Sequence, residues 1–558
     1  KESFRNTEAL LSYLRNGRLN SDEFSRIIFQ GLRRRPPSAP DHIIKNRLKK
    51  LFDLENSSIL KFLNDVLISL EKRYVEPTHN GQFLIESKNF AGWQELITEV
   101  PPLVGVAKAL QKKHGFISLV DKSEIKLFFE RFLKPQIRYS ALPSIKDPRL
   151  DELIERLKLD DLHIHLNGSS EIELVWVSAL QKPQQFSKEL KWAENNDLVK
   201  ELYSADEIGL TQKKQLKRLR IAGELRKMLL NEAFNQKQVK SSNVGNDNDN
   251  AIKNRFEIQF KDIEYVNHIA DFGAAINNNF KVPYCTEVEN TITKSLEHVA
   301  PEVRTPLAIE AYYLIAFFDY LESTKNEAFA QALHYYLLIK CQFNRLVVQQ
   351  TNQYGFDQFQ KFTFNEIRSV AEKEYQTRYH QLNYSDLGDL DYLEGRFAPS
   401  RDLPSNINRL RTILSDYRCY QFSEMKSRSQ SNALRKKHDP FSLNDLLSDK
   451  NNFTSLKLSL VAHFIKREDK RARELNKDEN KLSWQCRHYE LRNQLEKTRR
   501  SLNALRERYT NLGDYLHGFD AAANELDAGP EVFAPIFRRL RNSGYHNFTY
   551  HAGEDYVH

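Results

Sequence analysis

Four cysteines in 558 residues, Cys285, Cys341, Cys419 and Cys486, are too few and too scattered for a disulfide framework, and no Cys-x-x-Cys offers a thiolate metal site. That scarcity fits a reducing, cytoplasmic compartment. A long hydrophobic run is also missing. The most apolar helix-like stretch, Leu307 to Leu321, carries Glu310 and Asp319 and falls short of the roughly 20 residues a bilayer span needs. It reads as a core helix, and no membrane partner is expected. Neither sign of charge dominates: 83 Lys and Arg against 75 Asp and Glu leave +8. Over so long a chain this excess admits phosphorylated ligands without requiring nucleic acid. The densest basic run, Gly31-Leu32-Arg33-Arg34-Arg35-Pro36-Pro37, reads as a solvated turn. No internal repeat is visible.

What is present exceeds one ordinary domain. A barrel of roughly 250 residues with accessory regions fits the length. Residues 1–150 carry helical periodicity, as in Glu8 to Leu14 and Ile59 to Leu67, broken by turns containing proline. A strand-like segment lies within 151–176. Residues 177–375 read as a mainly helical insertion, with aromatic and aliphatic side chains at helical spacing from Glu310 to Tyr320 and from Ala328 to Val348. Inside it the polar tract Ser241 to Asn250 cannot bury apolar surface and is expected to be a mobile loop. From 376 to 558, strand-like runs (Asp391–Pro399, Leu456–Ile465, Tyr515–Asp520, Asn547–Glu554) alternate with helical stretches such as the charged Arg471–Tyr509. Alternation of that kind predicts an α/β fold with a parallel sheet, either a barrel or a doubly wound sheet.

Within the first strand-like segment, Asp161-Leu162-His163-Ile164-His165-Leu166-Asn167-Gly168 sets two imidazoles two residues apart. On a strand, His163 and His165 share one face while Leu162, Ile164 and Leu166 take the other. Two neutral imidazoles on a buried face need a partner, and a divalent metal satisfies both. A third imidazole and a carboxylate close the last run, in His551-Ala552-Gly553-Glu554. In a parallel barrel the reactive groups gather at the carboxyl ends of the strands, where residues so remote in sequence can meet.

Four ordered segments carry a resemblance to the adenosine and AMP deaminase family of metal-dependent TIM-barrel hydrolases. Residues 162–168 match the family's first strand, Tyr392 to Pro399 its second, Gly518 to Glu525 its fourth, and His551-Ala552-Gly553-Glu554 its fifth without change. The resemblance implies a (β/α)8-type barrel, of which strands 1–5 are evident, with a helical N-terminal extension and a large helical insertion. It also implies Zn2+ held by His163, His165 and His551, with Glu554 protonating the purine ring nitrogen N1. Asn167, Gly168, Asp520 and Ala523 fall at substrate-binding positions. The reaction it implies is hydrolytic conversion of an adenine nucleoside or nucleotide to its inosine form, with release of ammonia.

Departures from the family pattern refine that expectation. Asn167 stands where nucleoside deaminases carry an aspartate, and a neutral amide does not repel a 5′-phosphate. AMP or ATP is therefore expected in preference to adenosine. Ala523 replaces a glycine but keeps the backbone N–H donor. Five strands cannot close a barrel, so the rest, with a further histidine and an aspartate, is expected from a C-terminal part of a longer protein or from a second polypeptide. Glu394 and Arg396 read as a buried charge pair, and His463 and His517 as satisfied core histidines. The long extension and insertion resemble the deaminase component of bacterial RADAR phage-defence systems, which implies a homo-oligomer beside an ATPase partner. Two rival readings are another metal-dependent amidohydrolase and a catalytically silent barrel serving as an assembly scaffold or nucleic-acid-binding component. The other deaminase fold, which needs Pro-Cys-x-x-Cys, is excluded.

Overall fold

The computed structural model describes residues 21–33, 40–51, 58–77, 83–115, 144–145, 160–166, 172–194, 211–242, 257–267, 306–349, 392–426, 442–448, 456–469 and 486–553, with isolated positions between them. Two compact units divide the chain. The first takes residues 1–147, 171–352 and 366–371, and the second takes 148–170, 353–365 and 372–558.

Unit one is helical. From the N-terminal region come α1 (Ser21–Arg33), α2 (Asp41–Leu51), α3 (Ile59–Tyr74), α4 (Phe90–Ile97) and α5 (Pro102–His114). The helical segment resumes five residues ahead of the expected bound of 177 with α6 (Ile172–Gln181), followed by α7 (Pro183–Glu194), α8 (Gln212–Ser242), α9 (Pro306–Ser323) and α10 (Glu327–Val347). Both sets share one hydrophobic core. Local chemistry starts two of these helices. The Ser58 hydroxyl accepts from Lys61 N at 3.1 Å, and the Asn326 side chain accepts from Ala328 N and Phe329 N at 2.9 and 3.0 Å. Helices α9 and α10 are buried on almost every face, as their unbroken aliphatic and aromatic composition dictates.

Some details depart from the sequence reading. Gly31, Leu32 and Arg33 are not a turn but the last residues of α1, and Ser241 and Ser242 close α8. The remainder of both runs lies outside the described residues, as does all of Glu8–Leu14 except Leu11, a buried helical residue. A small sheet of β1 (Glu76–Pro77), β2 (Phe83–Ile85) and β3 (Ser144–Ile145) was not foreseen. Strands of two or three residues are too short to show a period. Among the described residues no helix is long and apolar enough to cross a membrane.

One cluster of four ionisable side chains inside this core joins α6, α8, α9 and α10. Glu310 pairs with the Arg226 guanidinium, and Lys340 Nζ lies 3.4 Å from Glu310 and 3.9 Å from Glu173. The Tyr336 hydroxyl joins them, accepting from Trp176 Nε1 at 3.0 Å and from Arg226 at 3.1 Å. Burial pushes the carboxyl of Glu310 up, but Arg226 and Lys340 outweigh it and hold the group below its ordinary range. For Glu173 burial wins over Lys340, and its pKa is raised.

In unit two the sheet comprises β4 (Asp160–His165), β5 (Tyr392–Phe397), β6 (Lys457–Ile465), β7 (Leu516–Ala522) and β8 (Asn547–Tyr550). Every neighbouring pair is parallel and the strands lie in sequence order. Helices α11 (Leu403–Lys426), α12 (Leu443–Ser448), α13 (Tyr489–Arg508) and α14 (Pro530–Asn542) intervene, so the unit is α/β. One sheet face is apolar. Leu458, Leu460, Phe464 and Phe519 pack in the same core as Leu410 of α11, Leu502 of α13 and Phe533 of α14. Alternate residues on the same strands, including Glu394, Arg396, Ser459, His463 and Asp520, occupy the other face. Gly518 is required where β7 meets β8, because a Cβ there would lie 2.9 Å from the carbonyl oxygen of Asn547.

Glu310→Gln removes the anion shared by Arg226 and Lys340 while keeping its volume. It is expected to destabilise unit one by about 3–5 kcal/mol, because two cations are left buried without that partner. A lowered urea midpoint at unchanged slope would show it.

Candidate metal centre

The pleat of β4 sets His163 and His165 on one face, and their Nε2 atoms lie 3.2 Å apart. A register irregularity between Asp161 and Ile164 interrupts the β4–β5 ladder beside them. His551 follows the last residue of β8. Its Nε2 reaches 3.2 Å from that of His163, across 388 positions of sequence. Three contacts hold His551 there. Its backbone N–H donates to Ala521 O at 3.0 Å, its carbonyl accepts from Lys466 Nζ at 2.6 Å, and its Nδ1 lies 2.9 Å from Asp520 Oδ2.

Three ring nitrogens facing one another cannot all be satisfied mutually, because a neutral imidazole offers a single N–H donor and one lone pair. A cation resolves that conflict. Nitrogen ligands at roughly 2.0–2.1 Å from a tetrahedral ion stand about 3.3 Å from each other. The observed separations of 3.2 Å match that edge closely, and the three donors lie within 4.8 Å of one another. The residues fit a divalent metal.

Asp520 is the buried charge beneath the rings. Besides His551 Nδ1, its Oδ2 lies 3.1 Å from His463 Nε2 and 3.6 Å from Arg396, which in turn pairs with Glu394 at 2.6 Å. A carboxylate beside Nδ1 favours the proton on that nitrogen, which leaves the Nε2 lone pair of His551 for the cluster. Burial pushes the Asp520 carboxyl up, but pairing with His463 and His551 outweighs it and holds the group ionised, well below the usual carboxylate range. For the other rings burial dominates in the opposite sense. With nearby positive charge it lowers His163 to about 4 and His165 to about 3, and His463 is lowered as well despite Asp520. Two of the three converging rings are thus neutral at pH 7. Because His163 is exposed and His165 half-buried, the cluster is reachable from solvent.

His463 was read as a satisfied core histidine. The structure instead sets it within the cluster, with ring centroids 5.9 Å from His163 and 5.1 Å from His165, and His163, His463 and Asp520 form a second group of potential ligands. A lone histidine in an apolar run gives no spacing signal. The pairing His463↔Asp520 in the β6–β7 register is what reveals it. His517 does have its own partners, Tyr392 Oη at 3.3 Å and Asp514 O at 3.0 Å, at the amino end of β7.

Ala523 adopts a φ of +79°, the left-handed region that glycine favours. Asn167, Gly168 and Glu554 lie outside the described residues. Gly553, immediately before Glu554, donates its N–H to the Glu525 carboxylate at 2.8 and 3.0 Å. No protein-family model matches the chain, and no curated protein matches it.

Two outcomes follow from these contacts. Asp520→Asn keeps the shape but loses the charge behind His551, and should weaken divalent-metal binding by about 10–100-fold in competition with a chromophoric chelator. In metal-free protein, His163 and His165 resist protonation when folded and accept it when unfolded. Below pH 6.5 the unfolded state therefore binds more protons, so stability falls as pH drops from about 6.5 towards 4. Denaturation midpoints at pH 7.5 and 5 should show this loss, and His165→Asn should reduce it.

Proposed function

We propose that the chain is a zinc-dependent hydrolytic deaminase of adenine nucleotides, built on a (β/α)8-type barrel. The observation that carries this reading is the meeting of His163, His165 and His551 at Nε2 separations of 3.2 Å. The barrel reading draws support from five parallel strands in unbroken sequence order. A doubly wound sheet reverses its strand order at a switch point.

His163, His165 and His551 would hold the ion. When bound, it supplies Lewis acidity that makes water a competent nucleophile near neutral pH. Asp520 keeps the His551 ring oriented and its proton on Nδ1. Glu554 would deliver a proton to ring nitrogen N1 as electron density builds there. Water oxygen bonds to C6, the C6–amino bond breaks, and the nucleotide leaves as its inosine form with ammonia as the second product. Delivery requires Glu554 protonated beforehand, which an enclosed apolar setting favours.

Metal analysis of the purified chain, with ammonia release measured on adenosine, AMP and ATP, tests the reading. One equivalent of zinc and turnover of the nucleotides are expected. Glu554→Gln should retain metal while turnover falls by about 10²–10⁴-fold. Zinc retained with no ammonia from any adenine compound would point to another amidohydrolase reaction.

A further inference from the structure

Beside the histidine cluster lies a cavity of about 320 Å³ at the carboxyl ends of β5 and β6, and His463 lines it. In parallel α/β sheets this is the end at which ligands bind. Its charged lining is Arg401, Arg409 and Arg467, with Gln494 and Thr498 from α13, and no carboxylate lines it. The three guanidiniums come from separate elements, namely the loop after β5, α11, and the segment after β6. Among the described residues neither Arg401 nor Arg409 has an ion-pair or hydrogen-bond partner, and Arg467 has Gln494 Oε1 at 3.3 Å. Three like charges around one concavity repel each other, and an anion seated between them removes that cost.

The cavity wall is fixed in place. Buried Asn406 accepts from Ser400 N at 2.7 Å and donates to Ser400 O and Ser501 Oγ, each at 2.9 Å, which ties the loop carrying Arg401 to α13. Asp402 caps α11 through Ser405 N at 2.8 Å and accepts from Ser400 Oγ at 2.7 Å. The backbone that carries Arg401 is thus ordered before binding, and the guanidinium side chains are what remains to be fixed.

We propose that this cavity is a phosphate-binding subsite that seats the phosphate chain of the nucleotide processed at the histidine cluster. The assignment rests on the deaminase reading for the identity of that substrate. Arginine matches both carboxylate and phosphate, but three guanidiniums exceed what one carboxylate neutralises and suit a polyphosphate.

The test uses the full chain with metal bound and two variants, the double Arg401→Gln/Arg409→Gln and Arg467→Gln. All three arginines are exposed, so an unchanged unfolding midpoint serves as the folding control. The ratio of kcat/KM for ATP to that for adenosine should fall about tenfold or more in the double variant, carried by KM. Tripolyphosphate should compete with ATP in the parent chain. An unchanged ratio would overturn the assignment, and so would tripolyphosphate binding that the variants abolish without moving the KM for ATP, which marks a separate effector site. If no adenine compound is deaminated, the function reading fails on its own terms and calorimetric titration with tripolyphosphate decides the cavity. Binding that the variants abolish upholds a phosphate site, whereas absent or unaltered binding refutes it.

Discussion

The histidine cluster on the polar face of the β4–β8 sheet depends on the Asp520 carboxylate. Around Asp520 stand the imidazoles of His463 and His551 and the guanidinium of Arg396, and His163 and His165 stand next to them. Without Asp520, Arg396 would keep Glu394, but His463 and His551 would lose the anion they share. With it, proton positions on two rings follow from geometry. The constraint passes outward: Asp520 fixes His551, His551 meets His163, and the pleat of β4 brings His165. Its position also explains the need for a parallel sheet in strict strand order. Only when β6, β7 and β8 are neighbours in that sequence do His463, Asp520 and His551 end side by side.

A comparison of the two buried charge networks shows why perturbed ionisation alone does not identify a site. In unit one Glu173, Glu310, Arg226 and Lys340 are all almost wholly buried, and aromatic side chains close over them: Arg226 lies 4.9 Å from the Tyr313 ring and Lys340 6.0 Å from that of Trp176. Opposite charges there answer one another, and none of the four side chains is more than 4% exposed. In unit two the anion is buried while the rings around it rise towards solvent, ending at an exposed His163 whose lone pair faces two others. The first arrangement consumes its charges in holding helices together. The second leaves coordinating capacity unspent.

How far the sequence disclosed this depends on the range over which each signal acts. The period of two in residues 162–166 and the run Asn547 to Glu554 were readable because they are local, and the strands were found where expected, although β8 ends at Tyr550 and β5 at Phe397. Helices α3, α9 and α10 were equally legible from their apolar spacing. Features created by pairing were not. His463 looks like core filling until the register sets it against Asp520. The arginine-lined cavity draws on positions 401, 409 and 467, which no spacing rule connects. The joining of the N-terminal helices to the insertion is likewise invisible along the chain, since Lys108 of α5 finds Glu322 of α9 some 214 residues away.

Protonation chemistry links the fold to the candidate metal centre. A metal displaces protons from its ligands, and an imidazole that is charged at working pH must first surrender one. Here the fold has already done that for His163 and His165, whose depressed pKa values come from burial and from the neighbouring Arg396 and His463. The same burial that weakens the metal-free protein in acid therefore leaves these rings deprotonated at neutral pH, the state in which they could receive a cation. Asp520 acts in the other direction, staying anionic so that His551 turns its lone pair outward. Neutral rings above and a fixed charge below form a set whose electrostatic cost, borne by the folded chain alone, a divalent ion bound there would relieve.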